Sequence, residues 1–389
     1  MISARSVLIG SSIFKPRTNY NAMGIFFIVW CMIAVLQLGY WGLVFQRLAW
    51  YKQPQNPTAI SFPAVSIVIC ARNEAANLQK NLESILLQDY PIFEVVVVND
   101  ASSDESLDVL KQFERQFTHL QVVNIEEKQG DGKKAALTKG IQAAKNSWIL
   151  LTDADCRPTS SSWMTKMYQQ AAATKSAIVL GYGPYEAAET WLNRWVRFET
   201  IYVAIQYFSF ALWKMPYMGV GRNLMYQKAL FLQEKGFEQH EHITSGDDDL
   251  FVNAVANDKN TSICLAEESF MYSQAPASWK ALYRQKARHY SSSNAYKLKH
   301  KILLGLLSST HFCFYLGLCI FIIMNVWTYL ILGLFILRTF LLHLVFFRYL
   351  EKVKQISFLK YVFVLDALLP IYYIIFASSL MGKSNKTWK

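Results

Sequence analysis

The sequence predicts an α/β domain with a mostly parallel sheet, placed between one N-terminal and about three C-terminal transmembrane helices. Two observations support this prediction. Hydrophobic residues make up 53% of the 389-residue chain, and the apolar residues are gathered into long blocks near its two ends. Between the blocks, short apolar strands alternate with helical segments, which is typical of a parallel sheet covered by helices.

Three of the apolar blocks are long enough for a helix that crosses the ~30 Å hydrocarbon layer of a membrane, which takes about 20 residues. The first block contains no charged side chain and is too long for a cleavable signal peptide. An N-terminal tail, 1–23, precedes it. The predicted transmembrane helices are 24–45, 302–324 and 326–347.

A fourth apolar block, 359–380, contains Asp366 and Pro370 and fits either a transmembrane or a re-entrant helix. Arg338, in the preceding block, lies at a similar distance from the cytoplasmic end of its helix. Because an ionisable residue inside a membrane needs a partner, we predict that Arg338 pairs with Asp366.

The balance of 39 basic against 28 acidic residues gives a net charge of +11. This charge suits an anionic partner, which is a nucleic acid, a membrane surface or a phosphorylated substrate. Basic residues flank the apolar blocks, so we expect membrane lipids as partners and no nucleic acid. The positive-inside rule places the middle of the chain in the cytoplasm, at a bacterial inner membrane. The six cysteines contain no C-x-x-C pair, which fits a reducing compartment.

The middle region, 60–300, contains four predicted strands with helices between them. Ser102 and Glu105 form a capping box that is expected to begin the second of these helices. In such sheets, ligands bind beyond the carboxyl ends of the strands, so the residues that follow a strand are candidates for a functional site. The predicted strands are 65–70, 94–99, 120–125 and 148–152.

Polar residues follow three of these strands. Two carboxylates in D-x-D spacing after the last strand are hard oxygen donors that suit Mg²⁺ or Mn²⁺ held together with a diphosphate. The alternative is a solvated turn before a helix. Lys133, which follows a loop with two glycines, is either a phosphate contact or a solvated lysine. The residues after the strands are Arg72, Asn73 and Glu74, then Asp100, then Asp153 and Asp155.

A second acidic group lies at 246–249, where Gly246 precedes three aspartates. Neighbouring carboxylates repel one another, so such a run needs a cation, a proton or full solvation. Its alternative interpretation is a solvated first turn of a helix. Two segments rich in aromatic and basic residues, 191–213 and 279–290, are predicted to be helices on the bilayer surface.

Together these motifs resemble those of the membrane-integrated family 2 glycosyltransferases, the group that includes hyaluronan, chitin and cellulose synthases. The resemblance covers residues 62–300 and implies a Rossmann-like GT-A catalytic domain over 60–300. Its landmarks follow the family order: Asp100, the D-x-D of Asp153 and Asp155, the G-D-D of Gly246 to Asp248, and the Q-x-x-R of Gln285 and Arg288.

The resemblance implies inverting, metal-dependent transfer from a nucleotide-diphosphate sugar to a membrane-associated glycan or lipid, for the synthesis of a cell-surface glycan. Mg²⁺ or Mn²⁺ would be the cofactor. Asp248, with Asp247 as the alternative, matches the catalytic base. The implied binding residues are Arg72, Asn73, Glu74, Asp100, Lys133 and Asp153 for the donor, Asp155 with Asp153 for the metal, and Gln285, Arg288, His289 and Arg222 for the acceptor or diphosphate.

The chain departs from the family pattern at His289, which stands where the Q-x-x-R-W motif ends in tryptophan. In polymerising relatives this tryptophan lies beside the acceptor sugar, so its replacement argues against processive synthesis. Two alternatives remain at this point. One is a polyprenyl-phosphate glycosyltransferase, and the other is a catalytically inactive membrane scaffold with the same fold.

Overall fold

The computed structural model describes residues 20–55, 60–128, 130 and 132–381, so most of the tail predicted over 1–23 lies outside the described residues. The strands are β1 (Val65–Ala71), β2 (Phe93–Asp100), β3 (Leu120–Ile125), β4 (Trp148–Asp153), β5 (Cys156–Pro158), β6 (Ile178–Leu180), β7 (Leu224–Gln227), β8 (Thr261–Ile263) and β9 (Met271–Ser273).

Helices lie between the strands in the sequence, and further helices precede the first strand and follow the last one. They are α1 (Tyr20–Gly39), α2 (Gln46–Ala49), α3 (Ala75–Leu86), α4 (Ser106–Gln116), α5 (Lys134–Ala143), α6 (Trp163–Thr174), α7 (Trp191–Leu212), α8 (Lys228–Gln233), α9 (Asp249–Val255), α10 (Trp279–Ser293), α11 (Leu298–Met324), α12 (Thr328–Lys352) and α13 (Leu359–Met381).

Seven strands form one mostly parallel sheet in the order β3-β2-β1-β4-β7-β6-β8. The first four in this order are mutually parallel, which confirms the predicted fold class. Strand β7 runs antiparallel to both β4 and β6. Strands β5 and β9 form a separate antiparallel pair.

Alternate residues of the central strands enter two different cores, because side chains alternate between the faces of a sheet. On one face, Ile67 and Val97 pack with α3, α4 and α6. On the other, Val68 and Val98 pack with α5, and this core continues through α7 into the long C-terminal helices. The core on this second face is therefore continuous from the sheet into the C-terminal helices.

The carboxyl ends of the central strands meet at one edge of the sheet. In the parallel register, Cys70 lies opposite Asp153, and Ala71 lies opposite Asn99. Asp100 and Asp153 are the last residues of their strands, β2 and β4, which flank β1. The register therefore brings the polar residues after these strands to one edge.

The capping box predicted at Ser102 and Glu105 is wrong. Helix α4 begins at Ser106, and the side chain of Glu105 makes no capping hydrogen bond. The Ser102 hydroxyl instead accepts a hydrogen bond of 3.0 Å from the backbone N–H of Asn73. Ser102 thus joins the loop after β2 to the loop after β1, so it does not cap its own helix.

Four described helical segments are long and apolar enough to cross a membrane: Met23–Ala49, Leu298–Met324, Thr328–Lys352 and Ile356–Phe376. The first consists of α1, a π-helical turn over Tyr40–Val44, and α2. Helix α13 continues through Pro370 without interruption. One candidate span thus precedes the sheet and three follow it.

Most of α7 is covered by protein, in contrast to the surface helix that its aromatic residues predict. Phe198 and Tyr202 are buried, and the Phe198 ring stacks at 5.9 Å on Phe346 of α12. Only the start of the helix is open, where Trp191 is 60% exposed. The reason is that the sheet and the candidate spans both present apolar faces, and α7 fills the space between them.

A polar cluster lies buried among the candidate spans and confirms the predicted pairing of Arg338 with Asp366. The Arg338 guanidinium donates to both carboxylate oxygens of Asp366. The Tyr315 hydroxyl donates to the same carboxylate at 2.7 Å. Nη2 of Arg338 also lies 3.4 Å from Oε1 of Gln37 in α1. The cluster therefore links all four candidate spans.

Replacing Asp366 with asparagine should lower the yield of folded protein, because the Arg338 charge would be buried without its carboxylate. Breaking a buried ion pair costs about 3–5 kcal/mol. Adding Arg338→Leu should restore part of the yield, since it removes the unpaired charge. Size-exclusion chromatography of detergent-solubilised protein measures the folded fraction. A double variant that folds no better than Asp366→Asn alone would show that the two residues do not act as a pair.

Candidate active site

Lys133, the residue immediately before α5, joins the two acidic groups. Its Nζ donates to Oδ1 of Asp153 and lies 3.8 Å from Oδ2 of Asp247. Burial alone would lower the pKa of Lys133, but the two carboxylates raise it well above its usual value. Burial would raise the pKa of Asp153, yet the charge of Lys133 holds it below its usual value. The D-x-D and the acidic run thus meet around one cation.

The loop before α5 is held against the segment that leads into the acidic run. Lys134 Nζ donates to the backbone oxygens of His240 and Ile243, at 2.6 and 2.9 Å. A Cβ on Gly132 would lie 2.5 Å from the backbone oxygen of Thr244, so only glycine fits there. These contacts place Lys133 between the two acidic groups.

The D-x-D offers a possible cation site. Ligand atoms of Asp153, Asp155 and Cys156 lie within 4.8 Å of one another. Burial raises the pKa of the Cys156 thiol well above its usual value, and its soft sulfur suits Mg²⁺ or Mn²⁺ less well than carboxylate oxygens do. Two carboxylates with hard oxygen atoms fit Mg²⁺ or Mn²⁺, which usually take their other ligands from water and phosphate.

Asp248 is a partly buried carboxylate held by two backbone donors. Oδ2 accepts from the N–H of Gly221 at 2.6 Å, and Oδ1 accepts from the N–H of Asp249 at 2.7 Å. Burial and the charges of Asp247 and Asp249 raise the pKa of Asp248 to about 8. Such a carboxylate is a much stronger base than an ordinary aspartate.

Asp249, the third acid of the run, is held by hydrogen bonds to neighbouring side chains. Its Oδ2 accepts from the hydroxyls of Ser292 and Tyr296. Burial raises the pKa of Asp249, and these two hydrogen bonds oppose the rise. The acidic run is therefore not a solvated turn, because Asp249 fastens the start of α9 to the end of α10.

On the other side of the edge, Asp100 is 2% exposed. Burial raises its pKa, although the charges of Lys128 and Arg72 oppose this effect. Its Oδ2 has no hydrogen-bond partner among the described residues. Asn73 lies nearby in the left-handed region (φ 54°), and its Oδ1 accepts from the N–H of Ser103 at 2.8 Å. The Oδ2 atom of Asp100 is thus a hydrogen-bond acceptor that no described residue satisfies.

Glu74 lies at the same edge but is occupied by local structure. It is 8% exposed, and its Oε2 accepts from Nδ2 of Asn77 at 2.5 Å. Its backbone N–H donates to the hydroxyl of Ser106 at 2.9 Å. Glu74 therefore supports the loop after β1, which holds Arg72 and Asn73.

Tyr185 connects two of the predicted acceptor or diphosphate residues. Its ring lies 4.4 Å from the guanidinium of Arg222, and its hydroxyl accepts from Nε2 of Gln285 at 3.3 Å. Arg222 also donates to the hydroxyl of Ser273 at 2.9 Å. Tyr185 lies in the irregular segment between β6 and α7, so no periodic pattern in the sequence marks it.

Arg288 and His289, the other two predicted acceptor or diphosphate residues, follow Gln285 on α10. The positive charges of Arg222 and Arg288 both help to lower the pKa of Asp153, so the two arginines lie within electrostatic range of the D-x-D. His289 lies at an exposed position, and partial desolvation by the surrounding protein, together with the charges of Lys286 and Arg288, lowers its pKa. His289 is therefore neutral near pH 7.

Lys286, between Gln285 and Arg288 on α10, is buried and forms an ion pair with Glu199 of α7. The helix predicted over 279–290 to lie on the bilayer surface is thus fixed to α7 through buried Lys286. The hydroxyl of Tyr290 also contacts that of Tyr372 in α13 at 3.2 Å. Helix α10 is in this way connected to α7 and to a candidate span.

Comparison with known proteins finds a family match in the middle of the chain. Residues 66–233 match the family model described as glycosyl transferase family 2. A probable glycosyltransferase, YdaM of Bacillus subtilis, is 26% identical over 315 residues, which cover 75% of this chain and 73% of YdaM. A poly-beta-1,6-N-acetyl-D-glucosamine synthase of Staphylococcus epidermidis is 31% identical over 95 residues, which cover 23% of this chain and 21% of the synthase.

Among solved structures, the mannosyltransferase PcManGT from Pyrobaculum calidifontis, in complex with GDP-Man and Mn²⁺, superposes with a TM-score of 0.55 at 15% identity. The match covers 89% of this chain and 99% of PcManGT. At this identity the likeness concerns the fold, which is of the GT-A type.

The sheet topology and the fold match thus define an α/β domain of the GT-A type, with the acidic edge at the carboxyl ends of its strands. The chain carries a family 2 glycosyltransferase domain and is a glycosyltransferase, an enzyme that acts on nucleotide sugars.

Lys286→Met should lower the free energy of unfolding by about 3–5 kcal/mol, because Glu199 would remain buried without its cation. Lys280→Met is the matched control, since Lys280 is exposed on the same helix and should change stability by less than about 0.5 kcal/mol. Denaturant unfolding of the protein in detergent measures both. Equal effects of the two substitutions would contradict the importance of the buried pair.

Proposed function

We propose that this chain transfers a sugar from a nucleotide-diphosphate donor to a hydroxyl group of a membrane-associated glycan or lipid, with inversion at the anomeric carbon. The product would contribute to a cell-surface glycan. The observation that carries the proposal is the meeting of the D-x-D and the acidic run around Lys133, beside a carboxylate of raised pKa. This arrangement offers a donor site and a base within one edge of the sheet.

The donor nucleoside would bind at the ends of β1 and β2. The free acceptor atom of Asp100 suits a hydroxyl or N–H donor of the nucleoside. Arg72 and Asn73 lie in the adjoining loop, which Glu74 supports. Asp153 and Lys133, at the end of β4 and the start of α5, would contact the donor near its diphosphate.

The diphosphate would be held by positive charge. Asp155 with Asp153 would hold Mg²⁺ or Mn²⁺, which neutralises charge that develops on the leaving diphosphate. Lys133, at the same edge, would contact a phosphate oxygen. Arg222 and Arg288, whose charges act on Asp153, would help to stabilise the leaving group.

Asp248 would act as the base. It takes the proton of the acceptor hydroxyl while the hydroxyl oxygen forms a bond to the anomeric carbon and the bond from that carbon to the diphosphate oxygen breaks. Asp247 contacts Lys133, so it is less suited to accept a proton. One displacement with one base gives inversion. Gln285 and His289 would lie against the acceptor.

A hydroxyl acceptor is favoured over the phosphate of a polyprenyl phosphate. A phosphate oxygen is already ionised at neutral pH and needs no base, whereas the raised pKa of Asp248 is useful only if a proton has to be removed. The four candidate spans and the basic residues beside them support a site at a membrane, which we propose is a bacterial inner membrane with the domain on its cytoplasmic side.

Asp155→Ala and Asp248→Asn should each reduce sugar transfer at least about a hundredfold, by loss of a metal ligand and of the base. Membranes that contain the protein, incubated with labelled nucleotide sugars and Mn²⁺, provide the assay. Asp258→Asn is the control, because Asp258 is exposed and lies outside the site. Retained transfer in both site variants would refute the mechanism, and no transfer by the unaltered chain with any donor would favour a scaffold.

The pH dependence of kcat/KM should report the base. Since Asp248 acts in its ionised form and its pKa is about 8, kcat/KM should fall as the pH decreases below 8, by about tenfold per pH unit. Initial rates at low donor concentration between pH 6 and 9 provide the measurement, with donor binding followed over the same range. A profile that is flat down to pH 6 would contradict this assignment.

A further inference from the structure

A group of three cations lies where α7 meets the start of α13, away from the acidic edge. The guanidinium of Arg194 is 5.0 Å from the ring centroid of Tyr361, and Nζ of Lys360 is 5.1 Å from the same centroid. The guanidinium of Arg197 is 5.0 Å from the ring of Phe358, which itself packs 5.5 Å from Tyr361. Three positively charged groups thus lie against two adjacent aromatic rings.

These charges lack acidic partners. None of the three residues forms an ion pair with any residue that the structure describes. Arg194 and Arg197 are three residues apart on α7, a spacing at which like charges repel. Placing three cations together without a carboxylate is costly unless an anion binds there.

Arg197 is the most enclosed of the three. Its Nη2 donates to Oε1 of Gln355 at 3.0 Å, while its buried Nε has no hydrogen-bond partner among the described residues. Burial lowers its pKa, and the groups that oppose this effect are tyrosine hydroxyls. One donor of this half-buried guanidinium is therefore left unsatisfied by the described residues.

The position of the group points to the membrane. Lys360 and Tyr361 belong to the first turn of α13, a candidate span, and so lie where the span enters the bilayer. Trp191, which is 60% exposed, lies beside Arg194, 5.3 Å from its guanidinium. Tryptophan and tyrosine are the residues typical of the membrane–water boundary.

We propose that Arg194, Arg197 and Lys360 bind the phosphate group of an anionic membrane lipid at the junction of α7 and α13. Arginine forms paired hydrogen bonds with phosphate, and basic pockets between helices at the cytoplasmic side of a membrane bind anionic headgroups. The lipid would hold α7, and with it the Glu199 partner of Lys286, against the candidate spans. This inference goes beyond the proposed function and does not depend on it.

The test uses the full chain in detergent, with phosphatidylglycerol as the probe and phosphatidylcholine as the neutral reference. Native mass spectrometry counts the bound lipid. Arg194→Gln and Lys360→Gln should each weaken retention of phosphatidylglycerol about fivefold, and combining Arg194→Gln with Arg197→Gln should weaken it by more than tenfold. Lys360 is exposed, so its variant should fold even if the Arg197 variant does not.

Arg348→Gln is the matched control, because Arg348 also lies near the end of a candidate span but has the carboxylate partner Glu351. It should retain phosphatidylglycerol as the unaltered chain does. Equal losses in the control, or unchanged retention in Arg194→Gln and Lys360→Gln, would overturn the proposal. Displacement of the lipid by an equal concentration of inorganic phosphate would also overturn it, since the site would then recognise a free anion.

Discussion

The acidic edge of the sheet depends on one ion-pair arrangement, in which Lys133 lies between Asp153 and Asp247. Without a cation, the carboxylates that follow β4 and those that precede α9 would repel one another at short range. The loop before α5 is therefore fixed from both sides, by Lys134 on backbone oxygens and by the close approach of Gly132 to Thr244. Lys133 thus neutralises part of the charge of both acidic groups.

The second half of the site comes from outside the parallel strands. Helix α10 carries Gln285 and Arg288, and its orientation is set by contacts with three other elements: the buried pair of Lys286 with Glu199, the hydroxyl contact of Tyr290 with Tyr372, and the hydrogen bond from Ser292 to Asp249. Because α7 and α13 belong to the core that reaches the candidate spans, the position of the proposed site residues on α10 is tied to the position of these spans. A buried ion pair contributes little net stability but fixes geometry, which suits this role.

Much of the fold follows from the sequence because strands buried on both faces and uncharged apolar helices have strong local patterns. The four parallel strands, the mostly parallel sheet and the pairing of Arg338 with Asp366 were predictable for this reason. Contacts between distant segments were not. Ser102 bonds to Asn73 across two loops, and Tyr185 connects Gln285 with Arg222 from an irregular segment. The burial of Lys286 and α7 also depends on tertiary packing, since their composition alone is typical of a membrane surface.

The central claim is a single displacement with Asp248 as the base, opposite a leaving diphosphate held at the D-x-D. The stereochemistry of the product tests this claim most directly, because it reports the number of displacements regardless of which acceptor is used. Proton NMR of the product made from a donor of known anomeric configuration provides the measurement. The account predicts the opposite configuration in the product, so that an α-linked donor gives a β-linked sugar. Retention of the donor configuration would contradict it.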